Sequence, residues 1–209
     1  MKRKFGIVCM ILGALMVFCA LGLFLRNNRE TEAAETASAA VLPEIKTAIQ
    51  TNAEKKAAVP ENEVPNTPPE LLTPEELAMT ESVIDGRSYI GYLYIPVLEL
   101  ELPVLSDWSY HGLRIAPARY YGTLRGEDLV ILAHNYPIHF GRLSELLEGD
   151  SVVFTDMDGR VWNYEVVAKD ILLPTAVEEM TAGAYDLTLF TCTYGGQNRV
   201  TVFCDLVRE

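Results

Sequence analysis

The sequence predicts an all-β domain, a closed or nearly closed barrel, set behind an N-terminal membrane helix. Three observations predict it. All ten tyrosines, both tryptophans and most β-branched residues of the 209-residue chain fall after position 85. Short apolar runs of strand length recur there between turn residues, while helical periodicity is sparse. Phe5 to Leu25 is a run of 21 residues without a charge.

The strands read as follows. Tyr89 to Ile95 and Leu100 to Leu105 are the first two. Leu129 to Ala133 is continuously apolar, as a central strand buried on both faces would be. Val152 to Thr155 follows the turn residues Gly149 and Asp150, and Asp156-Met157-Asp158-Gly159 makes a hairpin turn into a long strand, Val161 to Leu172. Leu187 to Cys192 and Val200 to Val207 close the chain. Phe140 to Leu147 can form two helical turns and Ala176 to Met180 one more. Seven or eight strands at this spacing suggest a barrel, and a domain of about 120 residues is ample for one core.

The organisation divides into four. Residues 1–4 are a basic tail, 5–25 a membrane segment, 26–81 an acidic linker rich in Pro, Ala and Glu, and 82–209 the folded domain. The apolar run spans about 30 Å as a helix, the thickness of a hydrocarbon core. Lys2, Arg3 and Lys4 favour a cytoplasmic N-terminus, with the rest of the chain outside. A cleaved signal peptide has a shorter apolar core, and Cys19 follows Phe18 rather than the small residue a lipoprotein signal requires. The segment therefore reads as an uncleaved anchor.

From Asn27 to Asp85 twelve acidic residues stand against four basic ones and aromatics are absent, a composition that buries too little surface to offset chain entropy. Pro60, Pro65, Pro68 and Pro69 stiffen this stretch into a spacer. Leu42 to Lys56 can form a short helix, and Thr73-Pro74-Glu75-Glu76 reads as a helix start near 74–82. A stalk is the expectation.

A formal charge of −12 argues against a general nucleic-acid binder. The chain carries no Rossmann glycine fingerprint, P-loop, HExxH or CxxC pair. His111, His134 and His139 are too scattered to suggest a metal site. Cys9 and Cys19 lie in the apolar run, Cys192 and Cys204 near the C-terminus, which is not a disulfide framework.

Chemistry concentrates around Cys192. It ends a strand, a Gly195-Gly196 turn follows, and Arg199 opens the next strand. So short a loop puts Cys192 and Arg199 near each other at one end of the sheet, where an arginine lowers a thiol's pKa and donates to an oxyanion. His134 ends the apolar strand 129–133, and cysteine with histidine is the minimal pair for covalent catalysis. A cysteine in a strand is more often a small buried hydrophobe. Cys204, in register with Val200, Val202 and Leu206, fits that description. Cys192 differs by its strand-end position, and His111 and His139 read as loop or surface residues.

These residues resemble the sortase family. Its signature Thr-Leu-x-Thr-Cys is matched by Thr188-Leu189-Phe190-Thr191-Cys192, with Arg199 in Asn-Arg-Val-Thr-Val and His134 in Val-Ile-Leu-Ala-His-Asn. Glu148-Gly149-Asp150, Thr155 to Gly159, Tyr164-Glu165-Val166, Ile95-Pro96 and Leu102-Pro103-Val104 resemble the family's remaining strands, so the likeness covers about residues 82 to 209. It implies an eight-stranded sortase-type barrel and a cysteine transpeptidase. Such an enzyme cleaves a sorting signal of the Leu-Pro-x-Thr-Gly kind on secreted proteins and passes the product to an amine of a cell-wall precursor or pilin. Cys192 would be the nucleophile, His134 the acid–base and Arg199 the oxyanion donor, with Thr191 shaping the substrate cleft.

The resemblance leaves the subclass open. His134-Asn135 and Thr191-Cys192-Thr193-Tyr194 are similar to class B, but 173–185 is short for that class's inserted helix, and a chain ending after its last strand does not fit the usual pilin-polymerising type. It implies no cofactor; calcium activation, known in some class A members, needs acidic residues that the sequence does not assign. A hydrolytic cysteine peptidase and a non-catalytic surface-binding domain are the rival readings.

Overall fold

The computed structural model describes residues 2–57 and 68–208. Its first element, α1, is one unbroken helix, Lys2–Ala57, about 84 Å long at 1.5 Å per residue. The two halves of α1 do different things. Between Met10 and Leu25 its apolar side chains stand exposed, and by length and composition the helix is a candidate membrane span. Beyond Arg26 the helix lies on the barrel and buries one stripe of Ala34, Ser38, Val41, Ile45 and Ile49. Steps of three and four residues keep that stripe on one helix face.

This corrects the expected stalk. Residues 26–57 are docked helix, joined to the barrel by Lys46 to Glu101 at 2.7 Å, Asn52 Nδ2 to the Met157 carbonyl at 3.0 Å and Lys56 to Asp158 at 2.6 Å. Ala and Glu are strong helix formers, and one apolar residue per turn is enough when a barrel face receives it. Pro60 and Pro65 lie outside the described residues. Thr73 caps α2 (Pro74–Leu77): its hydroxyl accepts from the Glu76 N–H, and the Glu76 carboxylate accepts from the Thr73 N–H.

Nine strands follow: β1 (Ser82–Ile84), β2 (Arg87–Ile95), β3 (Leu100–Leu105), β4 (Ala118–Tyr121), β5 (Leu129–Leu132), β6 (Ser151–Asp156), β7 (Val161–Leu172), β8 (Leu187–Cys192) and β9 (Arg199–Leu206). Their order is β1-β2-β3-β4-β5-β8-β9-β7-β6, and β2 also pairs with β6. That last pairing closes an eight-stranded barrel, with β1 left outside as a hairpin arm on β2. Closure brings β2 hard against β6 at Gly91, where a Cβ would stand 2.0 Å from the Thr155 carbonyl oxygen and φ is +145°. Only glycine fits.

The barrel interior is filled by alternate residues, among them Leu93, Ile131, Phe154, Leu189 and Val202. A second apolar cluster lies outside it, where Val41, Ile45 and Ile49 of α1 meet Ile84, Tyr89, Leu105 and Met157. A third, on the outer face beside β8, joins Val130, Phe190 and Met180, with Tyr120, Leu132 and Leu172 packed against them. Met180 belongs to α3 (Val177–Thr181). The strands expected from the sequence are present. β1 and β4, three and four residues long, are additions, and the two turns expected over 140–147 shrink to one 3-10 turn, Leu143–Glu145.

Candidate active site

β5 and β8 run parallel and adjacent, with Leu132 beside Phe190. His134 and Cys192 each lie two residues beyond that pair, so they emerge from the same end of the barrel on the same outer face. β9 runs antiparallel on the other side of β8, and Arg199 is the residue directly opposite Cys192. His134, Cys192 and Arg199 thus stand at neighbouring ends of three consecutive strands.

Hydrogen bonds fix the frame. The Ala133 N–H donates to the Phe190 carbonyl at 3.2 Å, and the Thr191 hydroxyl donates to the Ala133 carbonyl at 2.8 Å. Thr191, expected to shape the cleft, is buried with its hydroxyl so engaged. It ties the strand end that carries Cys192 to the one that carries His134, and does not offer its hydroxyl to solvent. The 193–198 loop is closed by the Thr193 N–H donating to the Asn198 carbonyl at 2.9 Å and the Gly196 N–H to the Thr193 carbonyl at 2.8 Å. Arg199 Nη1 donates to the carbonyls of Gly196 at 3.2 Å and Asn198 at 3.1 Å, which holds the guanidinium by its own loop.

Exposure separates the two cysteines of the barrel. Cys192 is partly exposed, whereas Cys204 is buried and burial pushes its thiol far up. Of the two, only Cys192 is open to solvent. Burial holds His134 below the ordinary 6.5; the nearby Arg114 guanidinium depresses it further, and Glu30 of α1 opposes them. The imidazolium, when formed, is therefore a stronger acid than a solvated one. Phe190 shares the face of Cys192 and is buried beneath it in the cluster with Val130 and Met180, against which Leu132 packs.

His111 is exposed, as expected, beside Arg87. His139 is not a surface residue: it is fully buried, because the chain after His134 folds back under α1. Its neighbour there is Ser38 of α1, 101 residues earlier in the chain, a contact that spacing along the sequence does not reveal. Among the described residues no three His, Cys, Asp or Glu side chains converge as a metal set would. A groove of about 600 Å³ lies elsewhere, between Pro43, Thr47 and Thr51 of α1 and Ser82 to Ile84 of β1, away from the three strand ends.

Comparison with known proteins agrees with this fold. Residues 93–207 match the family model described as the Sortase domain. A search of curated protein sequences finds no match. Among solved structures, sortase C1 from Streptococcus suis is 28% identical with a TM-score of 0.51, over 58% of this chain and 74% of that one. Sortase C from Streptococcus pneumoniae, whose structural description concerns catalysis and pilin substrate specificity, is 22% identical with a TM-score of 0.59, over 81% and 97%. The Clostridium perfringens sortase D5 transpeptidase is 15% identical with a TM-score of 0.60, over 83% and 99%.

Proposed function

The chain belongs to the sortase family, and on that premise we propose that it is a membrane-anchored transpeptidase whose nucleophile is Cys192. The observation that carries the reading is the pairing of Cys192 with Arg199 across β8 and β9, at the barrel end where His134 leaves β5.

The Cys192 thiolate attacks the threonine carbonyl carbon of a Leu-Pro-x-Thr-Gly-like signal, and a C–S bond forms. The negative charge that develops on the carbonyl oxygen is met by the Arg199 guanidinium. The C–N bond then breaks, and the His134 imidazolium gives its proton to the leaving amine. A thioacyl enzyme remains. An amine of a cell-wall precursor or pilin attacks it, His134 takes the amine's proton, and the C–S bond breaks to regenerate the thiolate. The basic tail Lys2-Arg3-Lys4 favours a cytoplasmic N-terminus, with the barrel on the outer side where secreted substrates lie.

Incubating the protein with a signal peptide, with and without an added amine, tests the proposal. Transpeptidation yields the peptide–amine product at the expense of hydrolysis. A turnover rate and product unchanged by amine would instead identify a hydrolytic peptidase.

A further inference from the structure

The loop after His134 is folded tightly on itself. The Phe140 N–H donates to the His134 carbonyl at 3.2 Å, and the N–H groups of His139 and Gly141 both donate to the Tyr136 carbonyl at 2.9 Å. A Cβ at Gly141 would stand 2.5 Å from the Asn135 carbonyl oxygen, so the loop closes as far as backbone allows. Within it the Tyr136 ring lies between two imidazoles, its centroid 5.0 Å from His134 and 5.6 Å from His139.

His139 then reaches α1. Its Nε2 is 3.5 Å from the Ser38 hydroxyl, and that hydroxyl donates its own proton to the Ile115 carbonyl. The Ser38 oxygen is therefore left to accept, which puts the imidazole proton on Nε2. Nδ1 is bare, buried and unpartnered among the described residues. A leucine in the same space would leave no orphaned nitrogen, and a fold that keeps one keeps it for the position it secures.

We propose that Tyr136, His139 and Ser38 are positioning residues for His134: helix α1 buttresses the acid–base histidine through two tilted ring contacts. The proposal rests on the reading of His134 as the acid–base of the sortase reaction. Contact with α1 fixes His139, His139 limits the tilt of Tyr136, and Tyr136 fixes the imidazole of His134 against the strand end. The charged and titratable groups around His134 are Glu30 of α1, Arg114 of the 112–114 turn, Tyr136 and His139 of its own loop, and Cys192 and Arg199 of the neighbouring strands.

The test uses the full chain in lipid nanodiscs with 13C-labelled histidine. It compares wild type with Ser38→Ala, Tyr136→Ala, His139→Leu and His139→Gln, the last retaining a donor for Ser38. Two readouts are taken: the NMR titration of the His134 ring, and kcat and KM with a signal peptide. Loosening the loop lets water reach His134, so its titration moves up toward 6.5 in the first three variants. In these kcat falls by roughly 10- to 100-fold with KM little changed, as a misplaced catalytic group predicts. His139→Gln stays near wild type. Wild-type titration and wild-type kcat in both Ser38→Ala and His139→Leu would overturn the proposal. Ser38→Ala, a small change on α1, decides it if His139→Leu does not fold. A wild-type chain that turns over no signal peptide would contradict the transpeptidase reading, while the His134 titration still decides the positioning claim.

Discussion

In the proposed reaction, the chemistry at Cys192 and Arg199 depends on single side chains. Cys192→Ala removes the nucleophile and abolishes turnover, leaving no acyl intermediate to detect. Arg199→Lys keeps the charge but loses the planar fork of donors, and loss of one oxyanion donor lowers kcat by roughly 100- to 1000-fold. The same assay reads both, and an Arg199→Lys variant with wild-type kcat would remove Arg199 from the mechanism. Arg114 acts at a distance by disfavouring the charged form of His134. Arg114→Ala therefore raises the His134 pKa. Because the imidazolium is the form that protonates the leaving amine, the loss of activity as pH rises through that pKa moves to higher pH. A pH–rate profile of the variant beside wild type shows the shift.

The placement of Cys192, Arg199 and His134 at strand ends was legible for a specific reason. Cys192, Arg199 and His134 sit where apolar strands stop, and strand ends are visible as changes in composition. The placement of His139 was not legible, since it depends on Ser38, far away in sequence. Burial alone, which only the fold supplies, distinguishes His139 from His111.

Elements carry the next level of the account. The docked half of α1 makes the stability of the chain depend on pH through His139, which burial drives from 6.5 to about 4. The unfolded chain binds the proton more readily, so this contribution to stability is complete above 6.5 and is lost as pH falls toward 4. Over that window the change is about 3 kcal/mol. Urea unfolding of the full chain at pH 7 and pH 4.5 reads it against His139→Leu, in which this part of the difference is absent. Gly91 is the equivalent test for the barrel. Gly91→Ala forces a Cβ into the Thr155 carbonyl at the β2–β6 seam, and a marked fall in thermal midpoint is the expected outcome.

Strand runs such as Leu129 to Leu132 and Val161 to Leu172 announced themselves by apolar or β-branched content between turns. β4, with Arg119 between Ala118 and Tyr120, did not, because its partners decide its conformation. The docked part of α1 was hidden for a related reason. Its buried stripe is one residue per turn and includes Ala34 and Ser38, so an average over the segment reads as polar and acidic.

On the scale of the whole molecule, α1 replaces a loose stalk with a bracket. Its footprint runs from Ser38, beside the His134 loop, to Lys56, beside Asp158. The barrel end that carries His134 is thus the end nearer the apolar segment, and the helical rise from Arg26 to Ser38 amounts to about 18 Å. The most direct measurement of the central claim is mass spectrometry of the protein after reaction with a signal peptide in the absence of acceptor amine. The account predicts a thioacyl adduct confined to the peptide fragment containing Cys192 and missing in Cys192→Ala. An adduct on Cys204, or turnover that persists in Cys192→Ala, would contradict it.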